Sequence, residues 1–250
     1  MIRYGILPVF ICLFCLPVQG QHTVIKGAVV RGDTARKSIA LVFTGHEYAD
    51  GGATIREALK ASGAPASFFF TGDFYRSYPA LIGALKKDGH YLGAHSDRHL
   101  LYCSWEKRDS LLVTRQVFLT DLRNNYREMR KAGIKKKEAR YFLPPYEWYN
   151  EAVAGWVREE GLVLVNFTSG TLSNADYTTP SMPNYRSSER ILESIRKLER
   201  EKGMNGFILL VHIGTDPERT DKLYDHLPQL IRELKQKGYT FMRIDELLRP

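Results

Sequence analysis

"SIALVFTGHEYADGGATIREALKASG", residues 38–63, decides how the rest of the chain is read. Its first six residues form an apolar run suited to a strand buried on both faces. Its last twelve place Ile55 and Leu59 four apart and end on Gly63, which predicts a helix with a glycine stop. Between the two, His46, Glu47 and Asp50 arrive just past the last apolar side chain. A strand, a polar loop and a helix make the repeating unit of a parallel sheet.

The unit recurs along the chain. "ASFFF" (66–70) is followed by a helical pattern over 78–90, with Pro79 suited to the first turn and Gly89 to the exit. "YLGA" (91–94), "ARYFL" (139–143), "LVLVNF" (162–167), "GFILLVH" (206–212) and "YTFMRI" (239–244) read as further strands. Phe118, Leu122, Tyr126 and Met129 lie at helical spacing, and Asn150 is placed to cap a helix with Ala152, Val153, Trp156 and Val157 on one stripe. Residues 188–200 and 228–237 complete the helices. About seven such alternations without a Gly-rich phosphate loop predict a (β/α) barrel rather than a nucleotide-binding fold.

The chain opens with "MIRYGILPVFICLFCLPVQGQHT", in which Arg3 precedes an apolar core too short to span a bilayer. We read residues 1–20 as a signal peptide and 21–250 as one domain, with the product periplasmic or secreted and holding no membrane span. The mature chain then keeps one cysteine, Cys103, which excludes an internal disulfide and reads as a small buried hydrophobe. The net charge of +8 has its densest run at 131–140, and no nucleic-acid module accompanies it. Oligomeric state is not legible in the sequence.

In a barrel of this kind the chemistry sits in the loops after the strands. Those positions hold His46, Glu47 and Asp50, then His95 and His99 in "HSDRH", then Tyr146 and Glu147 in "PPYEWYN", and finally His212. A His-x-x-x-His pair directly after a strand, with more His and carboxylates on neighbouring loops, suits a divalent metal. Asp97 and Arg98 are expected to face solvent or tie the loop down.

These segments resemble the NodB-homology polysaccharide deacetylases of carbohydrate esterase family 4. "HSDRH" is similar to the family's His-[Ser/Thr]-x-x-His motif, "GAPASFFFTGDF" to its second strand, "PPYEWYN" to its Pro-Pro-Tyr motif, and the stretch from "ILLVH" to "IDELL" to its closing segment. The resemblance implies a distorted (β/α) barrel of about seven parallel strands that removes N- or O-acetyl groups from a glycan through metal-activated water. The implied ion is zinc, with cobalt or nickel as alternatives. It also implies that His95 and His99 are ligands, His212 the general acid and Tyr146 an oxyanion N–H donor.

The first motif departs from the family's Thr-Phe-Asp-Asp-Gly. Thr44 falls where the base Asp belongs and Gly45 where the ligand Asp belongs. The Arg before Pro-Pro-Tyr is Leu143, and the Gly after it is Glu147. The expectation is a rearranged site, with His46 as third ligand (Glu47 or Asp50 substituting) and Glu47 or Glu147 as base. Trp105, Trp148 and Tyr149 are expected to stack on sugar. The competing expectations are a hydrated loop at 46–50, a helix-capping Glu147, and an inactive glycan-binding pseudoenzyme on the same barrel.

Overall fold

The computed structural model describes residues 22–249. The expected signal peptide lies outside the described residues. A hairpin of β1 (Thr23–Ile25) and β2 (Ala28–Arg31) leads into β3 (Ser38–Gly45), α1 (Gly52–Ser62), β4 (Ser67–Phe70), α2 (Gly72–Ser77), α3 (Pro79–Lys87) and β5 (Tyr91–Ala94). Then follow α4 (Arg115–Lys131), β6 (Tyr141–Phe142), α5 (Glu151–Glu159), β7 (Val163–Leu164), α6 (Ser188–Lys202), β8 (Phe207–His212), α7 (Leu227–Gln236), β9 (Thr240–Phe241) and α8 (Ile244–Leu247).

Seven parallel strands run in the order β7-β6-β5-β4-β3-β8, with β9 pairing the start of β3. They curl into a half-barrel with helices outside, as the alternation predicts. β6 and β7 are shorter than their apolar runs suggest, because Pro144 and Pro145 end one and Val165 leaves the other to bridge Val29 of the hairpin.

The pleat splits the core in two. Leu41, Phe43, Phe68, Phe70 and Phe142 face outward under the helices. Ala40, Val42, Phe69, Leu143, Val165 and Leu210 face inward, and Ile244 and Leu247 of α8 pack among them. The helix ends follow the local chemistry: Asn150 accepts from the Val153 N–H at 3.0 Å, Thr114 from Val117, and Gly63 closes α1 in the left-handed region at φ 59°. Cys103 is buried, as expected, and forms no disulfide among the described residues. No helix among the described residues is long and apolar enough to cross a membrane.

Candidate functional site

Strand register sets the floor of the site. Gly45 pairs with Phe70, Phe70 with Ala94, Ala94 with Phe142 and Phe142 with Leu164, and this row faces the helices. One residue further on, His95, Leu143 and Val165 turn inward. One residue earlier, Thr44 lies level with His212 of β8, and both line an inner cavity of about 890 Å³. This volume is of the size that takes a small ligand.

The loop carrying His95 and His99 is held from α4. Asp121 accepts from the Asp97 N–H at 3.1 Å, the Arg98 N–H at 3.0 Å and the Tyr102 hydroxyl at 3.0 Å. Asn125 accepts from the His95 N–H at 3.0 Å and donates to the Phe70 carbonyl. Two non-glycine residues of this loop, Ser96 (φ 72°) and His99 (φ 55°), sit in the left-handed region. Such strain persists only where surrounding contacts enforce it. Asp97 does not face solvent: it is buried and paired with Arg76 at 2.8 Å, while Arg98 reaches Asp73 at 2.7 Å.

His95 Nδ1 lies 2.8 Å from the Leu143 carbonyl, which can only accept, so Nδ1 carries the proton and Nε2 presents a lone pair. Burial pushes the His95 pKa down to about 3, against the raising effect of that carbonyl. Burial, helped by the neighbouring histidines, takes His99 down to about 2. Both rings are therefore neutral at pH 7.

The Pro-Pro-Tyr segment makes a turn with two consecutive left-handed residues, Tyr146 (φ 58°) and Glu147 (φ 52°). Asn166 donates to the Glu147 carbonyl at 2.7 Å and holds the turn. This aims the Glu147 side chain along the cavity wall, while Asn150 itself caps α5. Burial raises the Glu147 carboxyl to about 7, with His212 opposing and Asp176 adding to the rise.

Asp176 carries no strand-end signature and lies inside the irregular stretch 168–186, so the sequence alone does not mark it. Its Oδ1 lies 2.6 Å from His212 Nδ1, and its Oδ2 accepts the His212 backbone N–H at 2.9 Å. Burial lowers the His212 pKa, but the Asp176 carboxylate, assisted by Glu147, overrides it and leaves the pKa raised. The folded state thus binds this proton more tightly than the unfolded chain. Its stabilising contribution is complete below pH about 6.5 and fades as pH rises through the folded pKa. In Asp176→Asn, the His212 ring should titrate lower than in the parent protein when followed by NMR. An unchanged titration would assign the raised pKa to another anion.

At the rim, Trp105 and Tyr146 are 55% and 44% exposed, with ring centroids 5.7 Å apart. Trp148 packs against Trp105 and carries the Arg108 guanidinium 4.0 Å over its ring. Tyr149 is not a stacking platform: it is 1% exposed, and its hydroxyl donates to the Ile25 carbonyl. Glu47 points outward with a side chain 65% exposed, so it lacks the desolvated setting expected of a base. Asp50 is engaged elsewhere, with Lys222 at 2.8 Å, the Tyr224 hydroxyl at 2.6 Å and the Thr215 N–H at 2.9 Å.

The expected metal set does not converge. An imidazole lone pair lies in the ring plane, and His46 stacks flat on His99, with centroids 4.7 Å apart and planes 12° from parallel. Two such rings aim at no common point. His46 is held there partly by Thr71, whose hydroxyl is 3.2 Å from Nδ1. Gly45 supplies no donor and belongs to the outward row. Among the described residues no group of three His, Cys, Asp or Glu side chains is placed to hold a metal ion. As placed, these residues do not form the family's metal set.

The polysaccharide deacetylase family model matches residues 31–165. The chain belongs to that family, carbohydrate esterase family 4 with its NodB-like domain. It is 28% identical over 196 residues to a peptidoglycan-N-acetylglucosamine deacetylase of Bacillus cereus, covering 78% of this chain and 80% of that protein. It is 26% identical to the peptidoglycan-N-acetylmuramic acid deacetylase PdaA of Bacillus subtilis, covering 87% of this chain and 73% of that one. Among solved structures, a family 4 pseudoenzyme from Bacillus anthracis superposes with a TM-score of 0.71 at 18% identity, over 90% of this chain and 70% of that one.

Proposed function

We propose that this chain is an exported, glycan-binding member of the deacetylase family that has given up the family's metal-assisted hydrolysis. The observation that carries the reading is the pair Thr44 and Gly45. They stand where the family's two carboxylates belong, and a Cβ at position 45 would run into the core side chains Ile213, Phe70 and Phe74. The cavity supports the binding half of the proposal, since its rim offers Trp105 and Tyr146 faces of the kind that pack on sugar rings. The N-terminal signal pattern supports export. The family relationship supports an acetylated or formerly acetylated cell-wall glycan as the ligand class.

A second reading keeps turnover and is favoured by one observation, the His212–Asp176 pair facing Glu147. In that reaction Glu147 takes a proton from water as the water oxygen attacks the acetyl carbonyl. The bond to the sugar nitrogen or oxygen then breaks, His212 protonates the leaving group, and acetate is released.

The purified protein is to be incubated with peptidoglycan fragments, with and without zinc, cobalt or nickel, and released acetate and bound glycan measured. Saturable binding without acetate is the expected result, and Trp105→Ala should weaken it about tenfold. Acetate release abolished by Glu147→Gln would establish the second reading. Acetate release that requires added metal would overturn the proposal in favour of the family's ordinary chemistry.

A further inference from the structure

Resting on the glycan-binding reading, we infer that the inner cavity selects a sugar bearing a free ammonium, the de-N-acetylated form, over its N-acetylated counterpart. Three groups carry the inference. Thr44, on the cavity wall, is 1% exposed, and its buried hydroxyl has no hydrogen-bond partner among the described residues. A buried polar atom of this kind is costly unless a ligand or water satisfies it. His95 commits Nδ1–H to the Leu143 carbonyl, so its Nε2 offers only a lone pair. Glu147 faces the same space, and no hydrogen-bond partner is among the groups acting on its carboxyl.

Glu147 and the His95 Nε2 thus present acceptors to the cavity, and the Thr44 hydroxyl can accept as well as donate. Any positive charge on His212 is offset by Asp176, whose carboxylate lies 2.6 Å from Nδ1. The Arg108 guanidinium, at the cavity edge, is engaged over the Trp148 ring and with the Tyr149 carbonyl. An ammonium supplies three donors, no acceptor and a positive charge. An acetamide supplies one N–H and brings a carbonyl, for which neither the Glu147 carboxylate nor the His95 Nε2 lone pair has a proton to donate. An ammonium beside Glu147 also draws that carboxyl to its charged form, giving a charge-assisted bond.

The protein's net charge of +8 works against any cationic ligand, so a preference for one must come from the cavity itself. Thr44 thus has a role that differs from that of the carboxylate it replaces. Its hydroxyl can turn a lone pair to a bound amine, where an acid at the same place would serve to deprotonate water.

The test is calorimetric titration of a glucosamine tetrasaccharide and its fully N-acetylated counterpart into the mature protein, at pH 7 in the presence of a chelator. The glucosamine oligomer should bind about tenfold tighter or more. Glu147→Gln should reduce that ratio to near one, and Thr44→Val should weaken the glucosamine oligomer more than the acetylated one. Unfolding midpoints of both variants establish that they are folded. Equal or tighter binding of the acetylated oligomer overturns the inference while leaving the glycan-binding reading in place. A ratio unchanged in a folded Glu147→Gln also overturns it. Failure of both oligomers to bind overturns the glycan-binding reading and this inference with it.

Discussion

Gly45→Asp should lower the thermal unfolding midpoint by roughly 10 °C and create no metal site. A Cβ built at position 45 meets Ile213 at 2.7 Å and Phe70 and Phe74 at 2.9 Å each, all buried core side chains. The introduced carboxylate would enter the layer between sheet and helices, where no cation is placed to pair with it. Overpacking of this kind costs about 1–3 kcal/mol, and an unpaired buried carboxylate adds several more unless it takes up a proton. At about 2–4 °C per kcal/mol for a domain of this size, a net cost near 4 kcal/mol gives the stated shift. The check is a melting curve with and without zinc. A variant that keeps the parent midpoint and gains a zinc-dependent increase would show that the strand end rotates position 45 into the cavity, and the loss of metal chemistry would then lie in one residue.

Asp121→Ala is expected to cost about 3–5 kcal/mol. Asp121 is 5% exposed, yet its two oxygens serve the Asp97 and Arg98 amides and the Tyr102 hydroxyl. Removing it leaves three donors buried or nearly so, at about 1–3 kcal/mol each, with part recovered by entering water. It also releases the left-handed residues Ser96 and His99, so the loop should relax and His99 should leave its packing against Tyr146. Asp121→Asn, which keeps one acceptor oxygen, should cost about half as much. Urea unfolding of the two variants tests the ordering. Equal destabilisation would show that the carboxylate's charge matters more than its acceptor count.

Much of the architecture is legible in the chain as written. Runs such as "ALVF" and "FILLV" are apolar on consecutive positions because a parallel strand is covered on both faces, and the helices between them carry their own caps and stops. The positions of His95, His99, Tyr146, Glu147 and His212 at strand ends follow from the same reading. Strand existence was easier to read than strand length: "LVLVNF" forms a two-residue strand, because the β1–β2 hairpin takes Val165 as a neighbour.

The sequence by itself determined the sheet, the barrel, the family motifs and the absence of both carboxylates from the first motif. It could not determine direction. Whether His46 converges with His99 or stacks on it, whether Glu47 or Glu147 is the carboxyl removed from water, and which residue raises the His212 pKa all depend on elements far apart in the chain. Asp176 lies 36 residues before His212 in a stretch without periodicity, and only the packed structure brings the two together. The physical reason is the two-residue period of a strand. Local pattern decides that a side chain stands at a strand end, but the pairing register of the neighbouring strands decides which face it meets, and so whether it enters the cavity or the core.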